Sequence, residues 1–276
     1  MAKPVTSIRG FLQVWGVLPM IKPKKQNKKN EHRVRDDFSP FLIHLTRDYE
    51  KGKDARSNLH SILKAKCIKA RNPHCLFGPK IKKTEFPRGL RTKFNTVCLT
   101  ETPLNQLKFL TRDIKGRNIN LQPYGVVFWK DHLLARGANP ALYINSQAGK
   151  VRDFLLSEFD RHFDNQKSYR SFCKGYGREA ADSIIRYYSL VNLMSDTIDF
   201  SWEREWRYQG NLKFEMNELF AVIVPNVAIF RRRGKRVFDD SLWKEIERTP
   251  IISLEWSYEE LLAELACHLW NNFGEE

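Results

Sequence analysis

Cysteine is scarce in this chain: Cys67, Cys75, Cys98, Cys173 and Cys267 are the only five among 276 residues. Thiols so few and so widely spaced exclude a disulfide scaffold, and their odd number points to a reducing, cytoplasmic setting. Cys67 with the His74-Cys75 dipeptide invites a zinc reading. No Cys-x-x-Cys pair occurs to bring two thiolates to one ion, so no metal is expected. Long apolar runs are missing too, and no stretch of about 18 such residues exists to cross a membrane. Neither Gly-x-Gly-x-x-Gly nor Gly-x-x-x-x-Gly-Lys is present, which removes motif support for dinucleotide-binding and phosphate-loop folds. No clear Asp…Glu-x-Lys arrangement marks a magnesium-dependent nuclease.

Acidic residues are the other shortage. Asp and Glu number 32 against 47 Lys and Arg, a net charge of +15. A field of that strength suits a polyanionic partner such as nucleic acid. Apolar residues at 42% and charged residues at 29% are ordinary globular values, so wholesale disorder is excluded.

Residues 11–20 have the look of a signal-peptide core, but Gln13 interrupts them and a basic run follows instead of a small-x-small cleavage site. That run carries Lys22, Lys24, Lys25, Lys28, Lys29, Arg33 and Arg35 against only Glu31 and Asp36. It cannot bury a core, so residues 1–37 read as a basic arm, either a solvated tail or a tether to polyphosphate, ahead of a single domain over 38–276. Within that domain the patterning predicts strands at 41–46, 97–100, 124–129, 141–144, 201–209 and 219–224. It predicts helices from an Asn58 cap to about Ala65, at 148–163, at 178–195 and at 258–271, with residues 71–94 as a basic loop region. Irregular alternation of this kind indicates an α+β fold.

The most informative stretch is Ser201-Trp202-Glu203-Arg204-Glu205-Trp206-Arg207-Tyr208. In an extended strand Glu203, Glu205 and Arg207 share one face, the aromatic residues the other, and the two carboxylates lie about 7 Å apart. Acids so close raise each other's pKa unless a cation intervenes, and Arg207 is placed to hold Glu205 ionised. A bland reading is an edge strand with a solvated ion pair. A functional one is an anion for a reaction that develops positive charge, such as glycosidic cleavage. His44, in an apolar strand, is either a satisfied core residue or a hydrogen-bonding group for a ligand hydroxyl, with Thr46 in support. Arg88 and Arg91 either grip a phosphate or belong to the basic loop. The run Arg231-Arg232-Arg233-Gly234-Lys235-Arg236 is either a backbone-binding patch or an exposed turn.

Five landmarks occur in order over most of residues 38–225: Leu-Ile-His-Leu-Thr at His44, Asn-Leu-x-x-Ile-Leu from Asn58, Val-Cys-Leu-Thr-Glu-Thr-Pro-Leu from Val97, Pro-Tyr-Gly-Val-Val-Phe from Pro123 and Glu-Arg-Glu-Trp-Arg from Glu203. In these the chain resembles the AbiGi-type abortive phage infection proteins. More loosely it resembles ADP-ribosyltransferase toxins acting on nucleic acid, such as the DarT group. The resemblance implies a split, strongly bent β-sheet clamping NAD in a cleft. His44 would take the first-strand position, Glu205 the last, and Thr100 or Tyr124 the middle. Contacts to NAD would come from His44, Thr46, Arg91, Thr100, Tyr124 and Arg207, with Arg91 near the phosphates. The implied function is a phage-defence toxin that transfers ADP-ribose from NAD to a nucleic-acid base in RNA or single-stranded DNA. Glu205 would stabilise the developing cation, and Glu205 or Glu203 would accept the proton. Lys22, Lys24, Lys25, Lys28 and Lys29 of the arm, with Arg231, Arg232 and Arg233, would hold the phosphate backbone. A cognate antitoxin is the implied partner. Because an antitoxin designation exists within the family, the alternative is a non-catalytic nucleic-acid-binding regulator. One departure stands out: Lys-Ala-Lys-Cys follows the first helix where relatives often carry a glycine.

Overall fold

A computed structural model describes residues 38–48, 54–83, 86, 88–113, 119–145, 150–194 and 201–273. The arm, with its five predicted backbone-binding lysines, lies outside them. Strand β1, Phe41–Arg47, alternates as its sequence demands. Phe41, Ile43 and Leu45 pack into one apolar cluster with Leu107, Val127 and Ala221, while Leu42 joins the opposite one with Leu59 and Phe128. Covered on both faces, β1 sits inside a seven-stranded sheet.

The remaining strands, in chain order, are β2 Cys67–Ile68, β3 Thr96–Thr100, β4 Leu121–Trp129, β5 Asn139–Pro140, β6 Leu142–Ile144, β7 Val191–Leu193, β8 Glu205–Gln209, β9 Leu212–Lys213, β10 Leu219–Ile223 and β11 Ile251–Ile252. The large sheet runs β11-β10-β4-β1-β3-β8-β5. Only β10 and β11 are parallel in it, so the architecture is α+β with a mixed sheet flanked by helices. Gly125 on β4 sits against β1, where any Cβ would collide with the His44 carbonyl.

Helix α1, Ala55–Ala65, starts three residues before the expected Asn58 cap. Asp54 is the cap, its carboxylate accepting from Ser57 N at 2.7 Å, while Asn58 donates instead to the Arg47 carbonyl at 2.8 Å. The stretch read as a basic loop holds α2, Gly78–Ile81, and α3, Arg88–Arg91. Phe77, Ile81, Phe86, Leu90 and Phe94 within it form a second core. They recur every four or five residues, but short helical turns interrupted by Pro and Gly and dense in Lys and Arg obscure that repeat. Helix α4, Lys130–Ala135, follows β4, and α5, Lys150–Phe163, α6, Gln166–Tyr176, and α7, Arg178–Leu190, cover the second core. The Arg231–236 run is helical rather than a turn. It lies in α8, Val227–Val237, whose buried face is Val227, Phe230 and Gly234. Helix α9, Asp240–Glu247, and the amphipathic α10, Tyr258–Phe273, complete the chain. Among the described residues no helix is long and apolar enough to cross a membrane.

Candidate active site

The sheet is continuous in order but not in pairing. Five residue pairs join β3 to β8 and six join β1 to β4, whereas β1 and β3 meet only at Ile43 and Thr100. Beyond that pair the two strands part, and the gap is a cleft of about 960 Å³ lined by both, by α1 and by the segment after it. That volume is near the top of the roughly 300–1,000 Å³ range of small-molecule sites.

Glu205 opens β8 and lines this cleft. Its carboxylate accepts from Arg207 Nε at 3.0 Å, Arg207 Nη2 at 3.0 Å and the Tyr143 hydroxyl at 2.6 Å. The half-buried Cys98 thiol, opposite Arg207 on β3, stands beside the same carboxylate. Three donors thus occupy most of the roughly four lone-pair sites a carboxylate offers. Burial pushes the Glu205 pKa up, but the Arg207 charge and these hydrogen bonds outweigh it and leave the group below its ordinary 4.5. The same anion acts in reverse on its neighbours: burial and then Glu205 raise both the Tyr143 phenol and the Cys98 thiol, so each stays a donor.

Arg207 was expected to touch the ligand and hold Glu205 ionised. Its side chain is fully buried, with the third nitrogen donating to the Ser189 carbonyl at 2.9 Å, so the guanidinium holds Glu205 in place from behind while the residue still contributes to the cleft lining. Glu203 stands apart from the strand pattern. Ser201–Glu203 is a 3₁₀ turn and Arg204 adopts the left-handed region at φ 45°, so the extended chain begins only at Glu205. Thr100 explains the turn: its hydroxyl donates to the Glu203 carbonyl at 2.5 Å while lying 2.8 Å from the Thr102 hydroxyl, and Glu101 N donates to Arg204 O at 3.1 Å. Glu203 nonetheless lines the cleft.

His44 lines the opposite wall. Its Nδ1 lies 2.9 Å from the Cys98 carbonyl. A carbonyl only accepts, so Nδ1 carries the proton and Nε2 is an acceptor. Burial, with Arg47 assisting, lowers the His44 pKa below 6.5 and keeps the ring neutral. The other expected ligand contacts fare differently. The buried Thr46 hydroxyl donates to Ala55 O at 2.8 Å and Tyr124 O at 3.2 Å, tying β1 to α1 and β4. Tyr124 packs on the core, and Arg91 donates to the Lys83 carbonyl; neither lines the cleft. Lys69, Arg71 and Lys82 line it instead, with Arg47. Outside the Glu205–Arg207 pair the described residues of the wall therefore offer four cations against the one carboxylate of Glu203. Tyr143 and Cys98 carried no sequence signal of their own. Cys98 becomes legible only once β3 is paired with β8, opposite Arg207.

Arg231, Arg232 and Arg233 are exposed on α8, away from the cleft lining, and Arg231 pairs with Glu264. This helix packs on α1, where the His60 ring meets Phe238 at 5.3 Å and Phe230 at 6.1 Å. Arg56, His60 and Lys64 recur every fourth residue along α1, while its Ser57, Asn58 and Ser61 line the cleft. A basic ridge and the cleft thus flank one helix. Among the described residues no three His, Cys, Asp or Glu side chains gather as a metal site would require. Comparison with protein-family models, curated proteins and solved structures finds no match to this chain.

Proposed function

We propose that the chain is an ADP-ribosyltransferase that breaks the nicotinamide–ribose bond of NAD in this cleft and passes ADP-ribose to a nucleic-acid base. The observation that carries the reading is a buried, ionised Glu205 at a point where the sheet splits, with a neutral His44 on the same cleft. The single β1–β3 pair supports an ADP-ribosyltransferase-like split sheet. The cleft residues fit NAD. Volume is sufficient, and Arg47, Lys69, Arg71 and Lys82 suit its pyrophosphate better than the more distant Arg91.

Glu205 supplies a fixed negative charge beside a carbon that becomes electron-poor as nicotinamide leaves, in a site where low dielectric magnifies the field. Arg207, Tyr143 and Cys98 hold that charge in place and keep it ionised. A ligand hydroxyl reaching Glu205 replaces the Tyr143 bond one for one. His44 Nε2 accepts from a second ligand hydroxyl. The ridge of α1 and α8 holds phosphate backbone through Arg56, Lys64, Arg232 and Arg233. A role in phage defence, with a restraining antitoxin, rests on the family resemblance alone.

Incubating the pure chain with NAD labelled in its adenylate phosphate and with RNA or single-stranded DNA tests the proposal. Label should pass to nucleic acid with wild type and not with Glu205→Gln. The engagement of Glu205 by Arg207 and Tyr143 favours one second reading, a non-catalytic nucleic-acid-binding regulator in which the pair is structural. Full binding with no label transfer by wild type would establish that reading.

A further inference from the structure

We propose that His74 is the general base of the transfer step, taking the proton from the acceptor nitrogen as it attacks the ribose carbon. This rests on the transferase reading. Glu205 is poorly suited to the task, because Arg207 holds both its oxygens and the remaining position, shared with Tyr143, is the one a ribose hydroxyl takes. His44 has one nitrogen committed to the Cys98 carbonyl. Among the described residues His74 is the other histidine on the cleft wall, and none of them hydrogen-bonds its ring.

Its backbone is anchored on both sides. Thr96 N donates to Asn72 O at 3.2 Å, and Leu76 N donates to Val191 O at 2.9 Å. The next three residues, Cys75, Leu76 and Phe77, are buried in the second core. A half-buried ring is thereby presented to the cleft from a fixed segment. The charges acting on it are Arg207, Glu205, Arg47 and Lys82. Burial and then Arg207 lower its pKa below 6.5, with Glu205 opposing, so the ring is neutral at pH 7 and able to accept a proton. Glu203, the remaining carboxylate on the wall, is by nature a weaker base at that pH.

The step balances. The bond from the ribose anomeric carbon to the nicotinamide nitrogen breaks with its electron pair on that nitrogen, neutralising the pyridinium. A bond forms from the same carbon to the acceptor nitrogen, whose proton passes to His74 and then to water.

Azide separates this role from others, because it attacks without a proton to lose. With labelled NAD and the full chain, His74→Gln should lower transfer to a single-stranded oligonucleotide by about 100- to 10,000-fold while azide adduct formation stays within about threefold. Wild-type transfer should fall at acid pH and the residual His74→Gln rate should not. Added imidazole should restore part of the oligonucleotide rate to His74→Ala, and a thermal melt of both variants checks folding. Equal loss with both acceptors, or no loss with the oligonucleotide, overturns the assignment. Wild-type protein that consumes NAD with neither acceptor overturns the transferase reading itself.

Discussion

Replacing Arg207 with methionine keeps most of the side-chain volume and removes the charge that keeps Glu205 ionised. The Arg207 side chain is 0% exposed and that of Glu205 12%, so solvent does little to replace the lost partner. Breaking one side of a buried pair costs about 3–5 kcal/mol. At roughly 2–4 °C per kcal/mol for chains near this size, the melting temperature should fall by about 6–20 °C. Glu205→Gln should cost a similar amount, because it leaves a buried guanidinium without its anion. The double variant Glu205→Gln/Arg207→Met buries no charge at this position and should be no less stable than either single variant, a coupling of at least about 3 kcal/mol. Urea melts of the four proteins measure this cycle. If the two single effects simply add, the pair is not the buried, mutually dependent unit described here. In Arg207→Met alone burial acts on Glu205 against only its Tyr143 and Cys98 neighbours, so its carboxyl should titrate higher than in wild type and transferase activity should recover as pH rises.

Stability should also fall with pH below about 6.5. His44, His60 and His74 have folded pKa values lowered from 6.5, so the unfolded chain binds more protons there; Glu205, lowered from 4.5, adds its loss in more acid solution. The urea midpoint should therefore be lower at pH 5.5 than at 7.5, and an unchanged midpoint would contradict these environments. Gly125→Ala should destabilise the chain by about 1–3 kcal/mol, because β4 cannot approach β1 with a methyl against the His44 carbonyl; its NAD affinity, read by isothermal titration, should drop as well. Arg232→Ser with Arg233→Ser should reduce the salt dependence of nucleic-acid binding by about two phosphate contacts without altering azide adduct formation. An unchanged salt slope would take the ridge of α1 and α8 out of the interface.

Much of the fold was legible along the chain. Strands β1 and β10 are short, nearly continuous apolar runs and helix α10 carries an apolar stripe, and each forms close to its expected bounds because burial on both faces of a strand or one face of a helix leaves that mark in the chain. Helix α6 and the core residues between 77 and 94 were not among the expected elements. Their apolar residues do recur at helical spacing, Tyr169, Phe172, Cys173 and Tyr176 in α6 and Phe86, Leu90 and Phe94 ahead of β3, but the dense Lys and Arg residues between them masked the pattern. Strand β8 falls between: the faces of Glu205 and Arg207 follow from alternation, but its start follows from the Thr100 hydroxyl holding the Glu203 carbonyl across two strands.

For the candidate site, local order determined that a carboxylate and a guanidinium two residues apart in a strand share one face, and that the chain carries a strong net positive charge. Only the tertiary structure decided that this pair is buried, that Tyr143 and Cys98 stand beside it, that Tyr124 serves the scaffold, and that Lys69, Arg71, His74 and Lys82 reach the cleft with Thr46. The physical reason is the parting of β1 from β3 after one residue pair. That divergence depends on how the two halves of the sheet pack against different cores, a property no single segment contains.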